Sequence, residues 1–148
     1  MPMFVDKSPP GQCIFCKLVA GEIPSAKVFE DAETMAFMDL GQVNPGHTLI
    51  AVKRHADNLL DLTSDEAAAA MRTAHRVAQA VVKAFNPPGL TLLQCNGKEA
   101  DQTVFHFHMH VLPRWGDDGV SLSWPRKDPE STLLAQYAAQ LRAAIEPA

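Results

Sequence analysis

Imidazole and apolar side chains alternate along one short stretch of this chain, Phe105-His-Phe-His-Met-His-Val111. Successive side chains of a β-strand point to opposite faces of its sheet. The stretch therefore predicts a strand at Val104–Leu112, whose apolar side chains pack on the core while His106, His108 and His110 share the other face. Nothing in sheet packing requires three imidazoles in a row, so we interpret the row as a functional site.

The clearest helix signal begins at Thr63, which can cap a helix while Glu66 reaches back to it. Apolar residues then recur at helical spacing as far as Phe85. Other patterns predict helices at Cys13–Ala20 and Thr132–Ile145, a turn at Asn44-Pro-Gly46, and strands at Lys27–Glu30, Thr34–Asp39, His47–Val52 and Leu90–Cys95. Together these elements predict an α+β domain with a five-stranded antiparallel sheet, one long helix and short flanking helices.

The composition limits the classes of function. The chain has 148 residues, of which 47% are hydrophobic and 20% charged, and this is typical of one globular domain. A net charge of −4 argues against a surface for nucleic acid polymers but is compatible with a small phosphate site. No apolar run approaches the roughly 18 residues that span a membrane. Three cysteines are too few for a disulfide scaffold, which favours a reducing, cytoplasmic location.

The histidine row is a poor site for one metal ion held by all three rings. The Cα atoms of His106 and His110 would lie roughly 13 Å apart in a strand, whereas zinc–nitrogen bonds are about 2 Å long. Two neighbouring histidines could share an ion and leave the third free as a nucleophile, acid or base. The histidines could alternatively form a catalytic zinc site of another kind.

A second cluster of chemically active residues is Cys13-x-x-Cys16. This spacing fits either a redox pair or half of a zinc site, and the zinc interpretation needs two further ligands. His47, His55 and His106 are the candidates. Both cysteines could instead be buried as small apolar side chains.

At this point the chain resembles the histidine-triad (HIT) family, and in particular its Hint-type nucleoside phosphoramidase branch. The resemblance is carried by His106-Phe-His-Met-His-Val-Leu-Pro113 and extends over Cys13 to Arg114, about two thirds of the chain. Further matching segments are Cys13-Ile-Phe-Cys-Lys-Leu, Gly21-Glu-Ile-Pro-Ser25, Phe29-Glu-Asp31, Ala36-Phe-Met-Asp39, Pro45-Gly-His-Thr-Leu49, Lys53-Arg-His55 and Gln102-Thr-Val-Phe105. So many matches in order are highly specific.

The resemblance divides the chain into three parts. It implies a HIT domain at residues 12–115, commonly assembled as a homodimer. Residues 1–11, interrupted by Pro2, Pro9, Pro10 and Gly11, are expected to be a disordered lead-in. Residues 116–148 are expected to form a C-terminal extension that carries the predicted helix at 132–145.

The resemblance also implies a chemistry. His108 would attack the α-phosphorus of a purine nucleotide substrate, a nucleoside 5′-phosphoramidate or a dinucleoside polyphosphate, and form a nucleotidyl-histidine that water then hydrolyses. His110 would contact the phosphate or protonate the leaving group, His106 would orient its neighbours, and His47 would support the row by a hydrogen bond. A covalent step of this kind divides one difficult displacement into two easier ones.

The same resemblance assigns binding residues. Asp39 matches a ribose-binding acid, and the base pocket is assigned to Ile14, Phe15, Leu18 and Phe37. Asn96, Gln102 and Thr103 are expected to supply hydrogen-bond donors to the phosphate. Zinc-containing relatives imply a structural Zn²⁺ bound by Cys13, Cys16, His55 and His106, which are ligands of suitable softness for a closed tetrahedral site.

The chain departs from the family pattern at Asp101, where many relatives carry glycine, and at Cys95 and Val52, where some relatives carry asparagine and proline. A carboxylate close to a bound phosphate would repel it. The alternative to an enzyme is therefore a nucleotide-binding regulatory module with little turnover.

Overall fold

In the computed structural model, residues 4–147 are described. The elements are α1 (Ile14–Ala20), β1 (Lys27–Glu30), β2 (Thr34–Met38), β3 (Thr48–Val52), α2 (Ser64–Phe85), β4 (Gly89–Leu93), β5 (His108–Arg114) and α3 (Ser131–Ala144). The strands form one five-stranded antiparallel sheet in the order β1-β2-β3-β5-β4. This confirms the predicted α+β class and the five-stranded antiparallel sheet.

The register of the sheet decides which face carries the histidines. In the pairing of β3 with β5, Ala51 lies opposite His108 and Leu49 lies opposite His110. Directly opposed residues share a face of the sheet, and Leu49 in turn lies opposite Phe37 on β2. His108 and His110 therefore stand on the same face as a buried apolar row.

The two faces of the sheet have separate hydrophobic clusters. One cluster joins α2 to Ile50, Met109 and Val111, and the alanine-rich side of this helix belongs to it. The other cluster packs Phe15 of α1 against Phe37 and neighbouring residues of the histidine face. The helix α1 therefore covers the face of the sheet on which the histidines stand.

The predicted strand at Val104–Leu112 is wrong in its first half, because β5 begins only at His108. Val104 makes one isolated bridge with the N-terminal segment, and the amide of Phe107 donates to the carbonyl of Ala56 at 2.7 Å. His106 therefore lies outside the strand and does not continue the row as a strand residue.

The expectation of a disordered lead-in is also wrong where the structure describes it. Residues 1–3 lie outside the described residues, but Asp6 is buried and forms a parallel bridge with Val104. The amide of Asp6 donates to the carbonyl of Thr103, and the amide of Phe105 donates to the carbonyl of Asp6, both at 2.8 Å. The segment is thus held against the chain that precedes β5.

Local signals place the remaining elements close to their predicted bounds. The capping box of α2 is present, since the Thr63 hydroxyl accepts from the Glu66 amide and the Glu66 carboxylate accepts from the Thr63 amide. The turn before β3 needs a glycine, because Gly46 has φ +97 and a Cβ atom there would lie 2.9 Å from the Phe85 ring. Among the described residues, no helix is both long enough and apolar enough to cross a membrane.

Candidate active site

A cavity of about 250 Å³ lies on the histidine face of the sheet. His108 and His110 of β5 form part of its wall, and Asp39 lies just after β2. Its other lining residues are Phe4, Ile14, Phe15, Leu18, Ile23, Pro24, Ser25, Ala26, Phe37, Met38, Leu40, Leu49, Thr103 and Val104. The cavity combines an apolar wall with two imidazoles and a carboxylate, which is typical of a small-molecule site.

A wider surface depression, of about 660 Å³, shares no residue with this cavity. It is bounded by Asn44, Phe85 and Trp115, and its Asp118 carboxylate is already paired with Arg114 at 2.7 Å. The smaller cavity is the better candidate site, because only there do accessible imidazoles meet an apolar wall.

One hydrogen bond fixes the tautomer of His108. Its Nδ1 lies 2.8 Å from the main-chain carbonyl oxygen of His106. A carbonyl can only accept, so Nδ1 carries the proton and Nε2 carries the lone pair. Among the described residues, Nε2 of His108 has no hydrogen-bond partner. Every fully buried side-chain nitrogen or oxygen atom of these residues does have a partner. Nε2 of His108 is therefore not fully buried and can be reached from solvent. His108 therefore presents a lone pair.

His110 is oriented in the opposite sense by His47. The Val43 amide donates to Nδ1 of His47 at 3.4 Å, which places the His47 proton on Nε2. Nε2 of His47 lies 2.8 Å from Nδ1 of His110 and 3.5 Å from a carboxylate oxygen of Asp39. His110 thus accepts at Nδ1 and carries its own proton on Nε2, so it presents a donor beside the lone pair of His108.

Burial keeps these rings uncharged at neutral pH. It lowers the pKa of His108, and the hydrogen bond to His106 and the Asp39 carboxylate offset this only partly. Burial, followed by the neighbouring His108 and His47 rings, lowers the pKa of His110 to about 4. A neutral imidazole is the form that can act as a nucleophile.

The helix α1 brings an aromatic edge against the histidines. The ring of Phe15 lies 4.9 Å from the ring of His108 at 84°, and 5.3 Å from the ring of Phe37 at 68°. Edge-to-face contacts of this kind restrict ring orientation. Phe15 therefore both lines the cavity and holds the His108 ring in place.

A second cluster of side chains has the geometry of a metal site. The four sulfur–Nδ1 distances from Cys13 and Cys16 to His55 and His106 are 3.3, 3.3, 3.5 and 3.5 Å. Around a tetrahedral zinc with Zn–S of about 2.3 Å and Zn–N of about 2.0–2.1 Å, such ligand atoms are separated by about 3.5 Å. The residues present therefore fit the ion, and they are the four assigned to it in the sequence.

Each histidine of this cluster also makes a hydrogen bond through Nε2, the ring nitrogen that does not face the cysteines. Nε2 of His106 lies 2.6 Å from the carbonyl oxygen of Val52, and Nε2 of His55 lies 3.1 Å from a carboxylate oxygen of Asp57. Such contacts leave Nδ1 as the metal-facing nitrogen and orient the ring. The side chain of His106 thus belongs to the cysteine cluster, while its main-chain carbonyl orients His108.

The three residues expected at the phosphate are not brought together. Thr103 lines the cavity. The Asn96 side chain instead bonds to Gln94 and to the amide of Leu59. The Gln102 side chain is buried, and its amide bonds to main-chain groups of Asp57, Gly97 and Val104. The amides of Asn96 and Gln102 therefore organise the loop itself.

Sequence reasoning assigned no role to several residues of the cavity. Phe4 fell inside the segment expected to be disordered, and Ile23, Met38 and Leu40 carry no pattern that separates a pocket wall from core or surface. Of these four residues, Ile23 and Met38 lie in segments that had been matched to the family. Asp101, whose carboxylate would repel a phosphate, is exposed and is not among the lining residues.

Comparison with known proteins shows to which family this chain belongs. The family model described as "HIT domain" matches residues 20–117. The chain belongs to the HIT family. A relative, the adenosine 5′-monophosphoramidase hnt1 of Schizosaccharomyces pombe, is 39% identical over 114 residues, or 76% of this chain and 83% of that protein.

Solved structures of HIT proteins have the same fold. A HIT family protein from Bacillus anthracis superimposes with a TM-score of 0.89 at 36% identity, covering 93% of this chain and 100% of the other. A zinc-bound histidine triad family protein from Mycobacterium smegmatis superimposes with a TM-score of 0.71 at 33% identity, covering 90% and 98%.

Proposed function

We propose that this HIT protein is a nucleotide hydrolase that acts at the α-phosphorus with His108 as its nucleophile. The observation that carries the proposal is the opposite orientation of two adjacent rings, whose centroids are 5.3 Å apart. His108 presents a lone pair and His110 presents a proton, which are the two groups needed to displace an amine or phosphate from phosphorus.

The reaction proceeds in two displacements. Nε2 of His108 attacks the α-phosphorus, the bond from phosphorus to the leaving group breaks, and the leaving group takes the proton from Nε2 of His110. Water then attacks the nucleotidyl-histidine and gives its proton to His110, and the bond to His108 breaks. The nucleoside monophosphate is released and both rings return to their starting forms.

The other cavity residues position the nucleotide. Ile14, Phe15, Leu18 and Phe37 hold the base, and Asp39 accepts hydrogen bonds from the ribose hydroxyls. Thr103 and His110 supply donors to the phosphate. A nucleoside 5′-phosphoramidate with a purine base is the preferred substrate, supported by the phosphoramidase name of the S. pombe relative; a dinucleoside polyphosphate is the second candidate.

Hydrolysis of adenosine 5′-phosphoramidate tests the proposal. Wild type should release AMP, whereas His108→Ala should lose at least about a thousandfold in kcat, since no other group supplies the covalent step. His75→Ala, an exposed histidine on α2, is the matched control and should retain full activity. Equal rates for wild type and His108→Ala would remove His108 as nucleophile, and tight AMP binding without turnover of any nucleotide conjugate would favour a regulatory module.

We propose that the cysteine–histidine cluster holds a structural zinc ion. When bound, zinc would act as a closed, four-ligand crosslink between α1 and the chain around His55 and His106. Metal analysis of the purified protein should give one zinc per chain, which is lost in His55→Ala and kept in His108→Ala and Cys95→Ser. Loss of zinc from His108→Ala would instead indicate a catalytic zinc site.

We propose that the protein is a homodimer in a reducing, cytoplasmic compartment. The three cysteines are free, and α3 has no buried residue, with Leu134, Tyr137 and Leu141 exposed. An isolated helix of this length is marginal in water, so an apolar partner surface would stabilise it. Light scattering should give twice the chain mass; the chain mass alone would contradict the dimer.

A further inference from the structure

We propose that Phe4 is a specificity-determining residue that stacks on the base of the bound nucleotide. The N-terminal segment would then complete the base pocket from outside the residues matched by the HIT domain model, 20–117. The inference deepens the proposed function and rests on it, because it requires the base to lie in this cavity.

The position of Phe4 is the first observation. Its side chain lines the same cavity as Phe15, Phe37 and His108, yet 63% of Phe4 remains exposed. A large aromatic ring at the edge of an apolar cavity has little to pack against within the chain. Such a ring is available to a flat ligand that enters beside it.

The second observation is that this ring stands on an anchored segment. Two residues further on, Asp6 forms main-chain hydrogen bonds in both directions, to Thr103 and from Phe105. Its carboxylate accepts from the amides of Ser8 and Ile14, both at 2.8 Å. The anchor therefore connects the segment to α1 and to Thr103, which both contribute to the wall of the cavity.

Phe4 is the only one of residues 4–13 that lines the cavity. Asp6 is buried and bonds to the main chain of Thr103 and Phe105 instead. Val5 is 52% exposed and is not among the lining residues, and Lys7 places its Nζ 5.0 Å above the ring of Phe105. Within this segment, Phe4 is therefore the residue that contacts the cavity.

The aromatic ring of Phe4 indicates which part of a nucleotide it would contact, namely the flat base. Every nucleobase has a π face, and stacking on an aromatic side chain stabilises a base whatever its hydrogen-bonding pattern. The larger face of a purine gains more from stacking than that of a pyrimidine. Phe4 would therefore raise affinity for purine nucleotides without contributing to recognition of ribose or phosphate.

Calorimetric titration with AMP and with ribose 5-phosphate tests the proposal. Phe4→Ala should bind AMP about five- to tenfold more weakly than wild type and should bind ribose 5-phosphate unchanged. Phe4→Trp should restore AMP affinity, and Val5→Ala, a matched neighbour that does not line the cavity, should leave both affinities unchanged. Circular dichroism and thermal melting of each variant confirm that it is folded.

The outcomes separate this inference from the proposed function. If Phe4→Ala binds AMP as wild type does while His108→Ala abolishes hydrolysis, the stacking role is wrong and the catalytic proposal stands. An equal loss of affinity for AMP and ribose 5-phosphate would also overturn the stacking role, because it would indicate a general disturbance of the pocket. If wild type binds neither ligand, both proposals fail.

Discussion

His47 contacts the candidate reaction centre through His110, and its Nε2 also lies 3.5 Å from a carboxylate oxygen of Asp39. It lies 2.8 Å from His110, is buried, and is not among the residues that line the cavity. Its contribution would be to keep the proton of His110 on Nε2, where a leaving group can take it. A residue that acts in this way changes the rate of the reaction more than the binding of substrate.

The first prediction concerns this positioning role. His47→Ala should lower kcat on the order of ten- to a hundredfold and leave KM within about twofold, a smaller loss than the ~10²–10⁴ that a general acid itself supplies. His47→Gln, whose amide can still donate to His110, should recover part of the rate. Steady-state kinetics of the three proteins measures both parameters; a variant that raised KM with kcat unchanged would show that His47 serves binding instead.

Single residues also show where sequence reasoning ends. The ligand set of Cys13, Cys16, His55 and His106 could be assigned only by resemblance, because the Cys-x-x-Cys spacing alone left a redox pair, half of a zinc site and burial open. Asn96 and Gln102 were expected at the phosphate. Their amides bond to neighbouring loops instead, and such non-local partners leave no pattern in the sequence.

At the scale of elements, the Asp6 carboxylate helps to attach the N-terminal segment to α1. Burial raises the pKa of Asp6, but hydrogen bonds from Ser8 and Ile14 outweigh this, so the pKa is lowered overall. A group whose pKa is lower in the folded than in the unfolded state stabilises the fold above its unfolded pKa. That stabilisation is lost as the pH falls through the folded value.

The second prediction follows from the lowered pKa of Asp6. Asp6→Asn should melt at a lower temperature than wild type at pH 7, since the carboxylate is then ionised in both states. The difference should shrink progressively below pH 4, near the ordinary value for aspartate of about 3.9, as the wild-type group takes up its proton. Melting curves across this range measure the difference; a gap that does not depend on pH would mean that the charge of Asp6 contributes nothing.

The start of α2 supports a third prediction. The Thr63 hydroxyl accepts from the Glu66 amide at 3.1 Å, and Glu66 is also bound by Arg54. Thr63→Ala should lower the free energy of unfolding by about 1 kcal/mol, because the amide loses its partner, and Thr63→Ser should retain most of it. Urea unfolding of both variants checks this, and equal stability of the alanine variant and wild type would contradict the capping role.

Regular elements were predicted well because their signals are local. The cap at Thr63 and the apolar spacing of α2 depend on nearby residues, and the alternation in β5 gave the correct face for His108 and His110. The same alternation continued the strand too far, to Val104. The strand begins only at His108, and the His106 side chain before it contacts the cysteines, which are about 90 residues away in the chain. Such a distant contact leaves no local pattern in the sequence.

At the scale of the whole molecule, one short helix serves both candidate sites. Cys13 caps α1 and Cys16 lies on it, while Ile14 and Phe15 between them line the cavity. A zinc ion on the cysteines would therefore fix the wall against which the base is proposed to lie. Binding at one site that orders the other must strengthen both, because the coupling is reciprocal.

The fourth prediction is that removal of zinc weakens nucleotide binding. Protein treated with a chelator should melt at a lower temperature and bind AMP about fivefold more weakly or worse, and added zinc should restore both properties. Cys95→Ser, which leaves the cluster intact, should respond as wild type does. Unchanged AMP affinity in protein shown to be free of zinc would contradict the coupling through α1.

The measurement that most directly tests the account is identification of the covalent intermediate. Excess protein mixed with adenosine 5′-phosphoramidate, stopped with alkali during the first turnover and analysed by mass spectrometry should carry one adenylyl group. Peptide mapping should place this group on His108, and His108→Ala should carry none. Turnover by wild type with an adduct on another residue, or with no adduct at any time during the first turnover, would contradict a nucleophilic His108.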